Sequence, residues 1–413
     1  MRFCVHKSII GTEEHLVWSD GRISFAGEIP HGIWLLGPDG NLETLAALNA
    51  TTLSTILPPE QLHCMKRLLG STFNSGSIPW RFVLQRDQFK DFLRGLLESI
   101  KGLLEQGNTS YYTDVFLECS SVFESLSSAI LSVDVLEAHL AATSNPSLKS
   151  TLLSFASYNG VTPPVRYDRL ASKTGRLTVA SGPQILTLKR SCRDIITSRY
   201  PGGRVMYCDY RALETRAMLT LVGRAVTDAD PYEEISRIYL GDAYPRSTVK
   251  LVTLANLYGS TVAATAARLA RPISEVTLIT SKLNELFDVN SLRLKLRTEW
   301  MANKGIIRNG YGRALRVEDE STLVNYFVQS TSVDIALLGF SQIITRIKNE
   351  TLDIIPLFVL HDALIIDVHP RHFQNLSELV DIGEQIPGMK NRFFLECSPL
   401  SHDQDLEHNI DEL

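Results

Sequence analysis

Two aspartates far apart in the chain each close an apolar run, and a stretch between them carries two cations and a tyrosine at helical spacing. The first run is Val205-Met-Tyr-Cys-Asp209-Tyr210, after which the pattern changes to that of a helix. The second is Leu357-Phe-Val-Leu-His361-Asp362 followed by Ala-Leu-Ile-Ile, which reads as strand, tight turn, strand. Between them Arg246, Lys250, Leu254 and Tyr258 recur every four residues and so share one helical face, with Pro245 suited to the first turn. Carboxylates delivered by two strands to one place can hold a pair of Mg²⁺ ions roughly 3.5 to 4 Å apart, one lowering the pKa of an attacking hydroxyl and one holding a triphosphate. That is the chemistry of nucleotidyl transfer. On the facing helix the cations suit the phosphates, while Leu254 and Tyr258 suit sugar and base. Lys250, a point charge at the phosphates, can also serve as general acid toward pyrophosphate. Singly, each feature has a plainer reading: an aspartate before a helix caps it, and a row of charges is a solvated face. Their combination selects the metal site.

These residues resemble the motifs of the family A DNA polymerases. Asp209-Tyr210 with Glu214 and Arg216 is similar to motif A, Arg246 through Tyr258-Gly259 to motif B, and His361-Asp362 to motif C. Thr174-Gly-Arg176 before motif A, Gly305 to Arg313 after motif B, and Asn325-Tyr-Phe-Val-Gln329 before motif C come in the family's order. The resemblance spans roughly residues 160–370. It implies an α+β right-hand architecture with an antiparallel-sheet palm, helical fingers and a helical thumb. The implied activity is that of a DNA-directed DNA polymerase extending a primer 5′→3′ with dNTPs by two-metal-ion transfer, in phage or mobile-element replication. Catalysis then falls to Asp209, Asp362 and Lys250, with Mg²⁺ (Mn²⁺ as a substitute) on Asp209, Asp362 and the Tyr210 carbonyl. The nucleotide site is Arg246, Lys250, Leu254, Tyr258 and Glu214. DNA contacts fall to Arg176, Arg216, Arg313, Asn325, Gln329 and His361, with Arg193 a weaker phosphate contact. Implied partners are primer-template DNA and dNTPs, beside a helicase-primase, a separate exonuclease or a single-strand binding protein.

Three positions depart from the family pattern. Leu254 replaces an aromatic residue, Ala363 stands where many members have a glutamate, and Tyr232 stands where a triphosphate-binding histidine is common. In the family the motif A glutamate and motif B tyrosine exclude a 2′-hydroxyl, so Glu214 favours deoxynucleotides. Single-subunit RNA polymerases share much of the pattern but have a small residue at that position. A ribonucleotide-tolerant enzyme and a non-catalytic primer-template-binding module remain the alternatives.

The elements that must position these groups can be sketched from patterning. Residues 1–84 carry short apolar runs such as Gly32-Ile-Trp-Leu-Leu and turn pairs at Asp20-Gly21 and Asp39-Gly40, a small strand-rich unit without an assigned role. It lacks the Asp-x-Glu pair of the family's exonuclease domain, so no proofreading is expected. Phe89, Phe92, Leu93, Leu96, Leu97, Ile100 and Leu103 recur at helical spacing, and residues 85–162 take the thumb's place in the family order. Pro163-Pro164 marks a break. By the resemblance, 163–212 is palm, 213–300 fingers, and 301–413 palm again with a tail.

With 413 residues, 44% of them hydrophobic, the chain can bury a large core divided among subdomains. A net charge of −5 excludes coating nucleic acid by bulk charge, leaving local basic surface such as 246–316 for that task. The six cysteines show no zinc or redox spacing and read as reduced, in a cytoplasmic protein or one of an infected host's cytoplasm. No apolar run of about 18 residues suggests a membrane partner.

Overall fold

The computed structural model describes residues 2–30, 32–37 and 80–401 except 106, 157, 158, 226, 228, 382 and 383, together with the single positions 42, 45, 46 and 67. Asp39-Gly40, Cys64 and the acidic end of the chain lie outside the described residues. The chain divides into two compact units, Met1–Leu117 with Gly312–Ala314, and Glu118–Tyr311 with Leu315–Leu413.

In the first unit four strands, β1 (Arg2–Val5), β2 (His15–Ser19), β3 (Arg22–Ala26) and β4 (Trp34–Leu36), form a sheet in the order β3-β2-β1-β4. Asp20 and Gly21 both take positive φ between β2 and β3, the backbone that a two-residue hairpin turn requires. Helix α1 (Arg86–Glu105) buries Phe92, Leu96, Leu97, Ile100 and Leu103, while Asp87–Lys90, Asp91–Arg94 and Glu98–Lys101 pair three residues apart on its other side. A second helix, α2 (Gly107–Glu124), follows.

The second unit is a sheet with helices. Its four-stranded sheet consists of β5 (Arg204–Tyr210), β6 (Ile354–Leu360), β7 (Ala363–Val368) and β8 (Leu395–Pro399), in the order β6-β7-β5-β8 and antiparallel throughout, beside smaller two-stranded pairings. Every residue of β7 is buried, which is why this segment reads as a continuous apolar run and not an alternating one. Val205, Leu357, Leu360 and Ile365 pack with Leu152, Phe155, Ile185 and Leu188. Helices α3 (Leu213–Leu221), α4 (Arg246–Leu257), α5 (Val262–Leu269), α6 (Ile273–Leu286) and α7 (Val289–Ala302) build a separate core from Met218, Val249, Val252, Leu257, Ile279, Leu283, Leu296 and their neighbours. Each such side chain, fully buried, contributes roughly 1.5–3 kcal/mol.

The 27-residue helix α8 (Leu323–Asn349), with the turn Glu320–Thr322 before it, reaches the length and mean hydropathy, 1.3, of a membrane-crossing helix. The apolarity belongs to a core helix, because 78% of that window is buried inside the protein. Its Asp334 is fully buried and accepts from Asn309 Nδ2 at 2.6 Å and Arg169 Nη2 at 3.3 Å, tying two loops to the helix. Removing one partner of such a buried pair costs about 3–5 kcal/mol.

The cysteine reading needs correction. Cys208 and Cys397, 189 residues apart, form a disulfide because the register of β5 and β8 makes them direct cross-strand partners. Cys4, Cys119 and Cys192 are buried free thiols.

Candidate active site

The site begins with the ends of three adjacent strands. Asp209 is the penultimate residue of β5, and Ala363, the first residue of β7, lies directly across from it. Only His361 and Asp362 join β6 to β7, and the Tyr210 N–H points at the Asp362 carbonyl oxygen at 3.4 Å. The hairpin therefore sets Asp362 beside the end of β5. On the other flank, Glu396 of β8 is the cross-strand partner of Asp209.

Two non-glycine residues beside these carboxylates adopt left-handed backbone, His361 at φ 57° and Ala212 at φ 52°. Each costs on the order of 1–2 kcal/mol, which the paired strands and packed helices offset. Ala212 is also the N-cap of α3 and offers no side-chain cap, so Asp209 does not cap that helix. Tyr210 continues into the core, its ring 5.5 Å from that of Phe340 and its hydroxyl lying where a Cβ on Gly339 would stand.

A cavity of about 530 Å³ opens over the carboxylates. One wall is α4: Val249, Val252 and Leu257 are fully buried in the helical core, which turns Arg246, Lys250 and Leu254 toward the cavity, with Tyr258 at the helix end. Asp209, Tyr210, Glu214, Arg176, Gln329, His361, Asp362 and Glu396 also line it.

Electrostatically the carboxylate pair is short of positive charge. Burial and then the Asp362 charge push the Asp209 carboxyl up to about 8, against the pull of Lys250. Burial likewise raises Asp362, with His361, Arg176 and Lys250 acting the other way. Asp209 Oδ1 is buried with no hydrogen-bond partner among the described residues. A divalent cation would meet each of these deficits. Among the described residues no three His, Cys, Asp or Glu side chains converge as a ready-made cage. Mg²⁺ does not require one, since it is held by one or two carboxylates together with waters and substrate phosphates.

Two further clusters complete the lining. Arg246 donates from Nε and Nη2 to Asp230 Oδ2 at 2.9 and 2.7 Å, and its guanidinium lies 5.4 Å from the Tyr232 ring. Asp230 Oδ1 meanwhile accepts from the N–H groups of Tyr232 and Glu233. Burial alone would raise the Asp230 pKa, but these bonds leave it below its ordinary value. Farther along α4, the Tyr258 hydroxyl donates to Glu214 Oε2, and Arg176 Nη2 lies 3.3 Å from Glu214 Oε1.

No protein-family model matches this chain, and no curated protein matches it. Solved structures do. One is the POL domain of Pol1 from M. smegmatis in complex with DNA primer-template and dNTP, which is 14% identical and superimposes with a TM-score of 0.54. The match covers 91% of this chain and 82% of that one. The fold is that of a polymerase domain.

Within this polymerase-like fold, Asp209, Tyr210, Asp362, Arg246, Lys250, Leu254, Tyr258, Glu214, Arg176, Gln329 and His361 share the cavity. Four of the expected DNA contacts do not, Arg193 among them, its guanidinium lying 5.5 Å from the Tyr207 ring. Arg216 is 1% exposed and spends its guanidinium on the carbonyls of Arg211, Thr227 and Ala229 at 2.8, 2.5 and 2.7 Å, bracing the loop before Asp230. Arg313 is 2% exposed, so its guanidinium is withdrawn from solvent, and it belongs with Gly312 and Ala314 to the first compact unit. Asn325 is half-buried and does not line the cavity.

Conversely, Asp230 and Glu396 line the cavity without having been singled out from sequence. Asp230-Pro231 carried a usable signal, that of a helix N-cap followed by proline at the first turn. Glu396 carried none, because only its register opposite Asp209 gives it meaning.

Proposed function

We propose that this chain is a template-directed DNA polymerase that extends a primer 5′→3′ with dNTPs. One observation carries the proposal: Asp209 and Asp362 meet at neighbouring strand ends in a cavity faced by Arg246, Lys250 and Tyr258, in a chain with a polymerase-domain fold. In this reading the sheet β5–β8 is the palm, α3–α7 are the fingers, and the helices of 85–162 act as the thumb.

Two Mg²⁺ ions, with Mn²⁺ as a substitute, held by Asp209, Asp362 and the Tyr210 carbonyl, would supply the charge that lowers the pKa of the primer 3′-hydroxyl and neutralises the leaving pyrophosphate. The remaining work falls to the chain. Arg246 and Lys250 bind and orient the triphosphate, and Lys250 delivers a proton toward the departing pyrophosphate. Leu254 and Tyr258 flank sugar and base, with aliphatic contact where the family stacks an aromatic ring. Glu214 occupies the volume a 2′-hydroxyl would need. Gln329 and His361 serve the primer end, Gln329 through minor-groove acceptors that are nearly independent of sequence. Primer-template DNA and dNTPs are the substrates, in phage or mobile-element DNA replication.

Primer extension with dNTPs and, in parallel, rNTPs tests the reading. Asp209→Ala and Asp362→Ala should each abolish extension while primer-template affinity stays within a few-fold of wild type. Undiminished extension by either variant would overturn the site. Efficient unprimed RNA synthesis would reassign the chain to RNA polymerases, and tight primer-template binding without incorporation in Mg²⁺ or Mn²⁺ would make it a binding module.

A further inference from the structure

One side of the cavity is closed by a ring of hydrogen bonds joining three distant segments. Tyr258, at the end of α4, donates its hydroxyl proton to Glu214 Oε2, on the first turn of α3. Arg176 Nη2 donates to the other oxygen, Glu214 Oε1, at 3.3 Å and to the Tyr258 hydroxyl oxygen at 3.4 Å. Both carboxylate oxygens of Glu214 are thus engaged, by different donors from different segments. The backbone that carries Arg176 is anchored on either side: Thr174 is 7% and Leu177 8% exposed, and Gly175 makes the turn between them at φ 79°. The Arg176 side chain itself is 52% exposed and the Glu214 side chain 15%, so the arginine covers the carboxylate from the open side.

We propose that Arg176 is a specificity-determining residue of the sugar pocket, bracing Glu214 against Tyr258 so that the wall facing the 2′ position of an incoming nucleotide cannot yield. The proposal rests on the polymerase reading above and deepens it. A glutamate has three side-chain torsions, and a single bond to Tyr258 leaves rotation about that contact. The second donor removes it. With Arg176 gone, Glu214 Oε1 is an unfilled acceptor at the edge of the pocket, and a ribose 2′-hydroxyl is the donor that would fill it. A wall that excluded the hydroxyl would then receive it. An arginine serving only as a DNA contact behaves differently, since its loss weakens primer-template for every nucleotide alike.

The test is single-turnover incorporation of dATP and of ATP on one primer-template by wild type, Arg176→Ala and Arg176→Lys. Primer-template affinity and thermal unfolding are measured alongside. The preference for dATP over ATP, as a ratio of kcat/KM values, should fall by about tenfold in Arg176→Ala and by less in Arg176→Lys. Placed on a Glu214→Ala background, Arg176→Ala should change the ratio no further, because the group it braces is absent. An unchanged ratio in an active enzyme, whether both efficiencies fall together or neither moves, overturns the assignment of Arg176 alone. A wild type that incorporates neither nucleotide overturns the polymerase reading and this inference with it. Should Arg176→Ala fail to fold, the ratio in Arg176→Lys decides.

Discussion

Replacing Asp209 by asparagine should make the metal-free protein more stable at high pH while abolishing nucleotidyl transfer. Burial and the neighbouring Asp362 lift the Asp209 carboxyl from 3.8 to about 8 in the folded chain. In the unfolded chain it ionises near its ordinary value, so between about pH 4 and pH 8 the unfolded state has released a proton that the folded state still holds. The folded protein therefore loses stability as pH rises through that window. A displacement of about four pH units corresponds to roughly 5 kcal/mol as an upper bound. Relaxation and water penetration around a real carboxylate pair leave about 1–3 kcal/mol of it. The substituted amide has no proton to lose, so the variant escapes the penalty, by a few degrees in Tm. Mg²⁺ should reverse the order, because a ligand at about a hundred times its Kd stabilises the wild type by roughly 2.7 kcal/mol and the variant has lost a ligating oxygen. Thermal unfolding at about pH 5.5 and about pH 8.5, on either side of most of that titration, in EDTA and in millimolar Mg²⁺, reads all four conditions. A variant less stable than wild type in EDTA at the higher pH, or one stabilised equally by Mg²⁺, would refute the argument that this carboxylate is held in electrostatic deficit awaiting a cation.

Three other outcomes follow from the geometry. Arg246→Ala should raise the KM for dNTPs by about 10- to 100-fold, the worth of one or two hydrogen bonds to charged groups, with primer-template affinity unchanged; an equal loss of DNA affinity would place Arg246 elsewhere. Glu396→Gln, which removes the charge flanking Asp209, should lower kcat by about tenfold and shift the Mg²⁺ concentration at half-maximal rate; an unaltered Mg²⁺ dependence would exclude Glu396 from the site's electrostatics. Gly339→Ala should destabilise the protein by about 1–3 kcal/mol through overlap with the Tyr210 hydroxyl, seen as a lower denaturant midpoint, and an unmoved midpoint would contradict that packing.

The sequence shows local periodicity well and register poorly. The hairpin through His361-Asp362 and the polar face of α4 were legible because each is a property of a dozen consecutive residues. What β5 meets on either side is not such a property. Glu396 and the Cys208–Cys397 pair depend on β8 lying next to β5 across 189 residues of chain, which neither composition nor spacing encodes. Arg216 was open to a better reading. It lies two residues beyond Glu214 on α3, so the two side chains point to opposite sides of the helix and only one can face the cavity. The burial of α8 and its polar anchor at Asp334 also escaped, because the partners of Asp334, Arg169 and Asn309, come from distant segments that helical spacing does not encode.

In the proposed function Asp209 and Asp362 hold a pair of divalent cations against an incoming triphosphate. Crystals of the protein with primer-template, a non-hydrolysable dNTP analogue and Mn²⁺, measured at the manganese anomalous edge, test it most directly. Two manganese peaks roughly 3.5 to 4 Å apart are expected, both within ligand distance of these carboxylates and of the triphosphate held by Arg246 and Lys250. A bound nucleotide with no metal at Asp209 and Asp362, or with its phosphates away from α4, would contradict it.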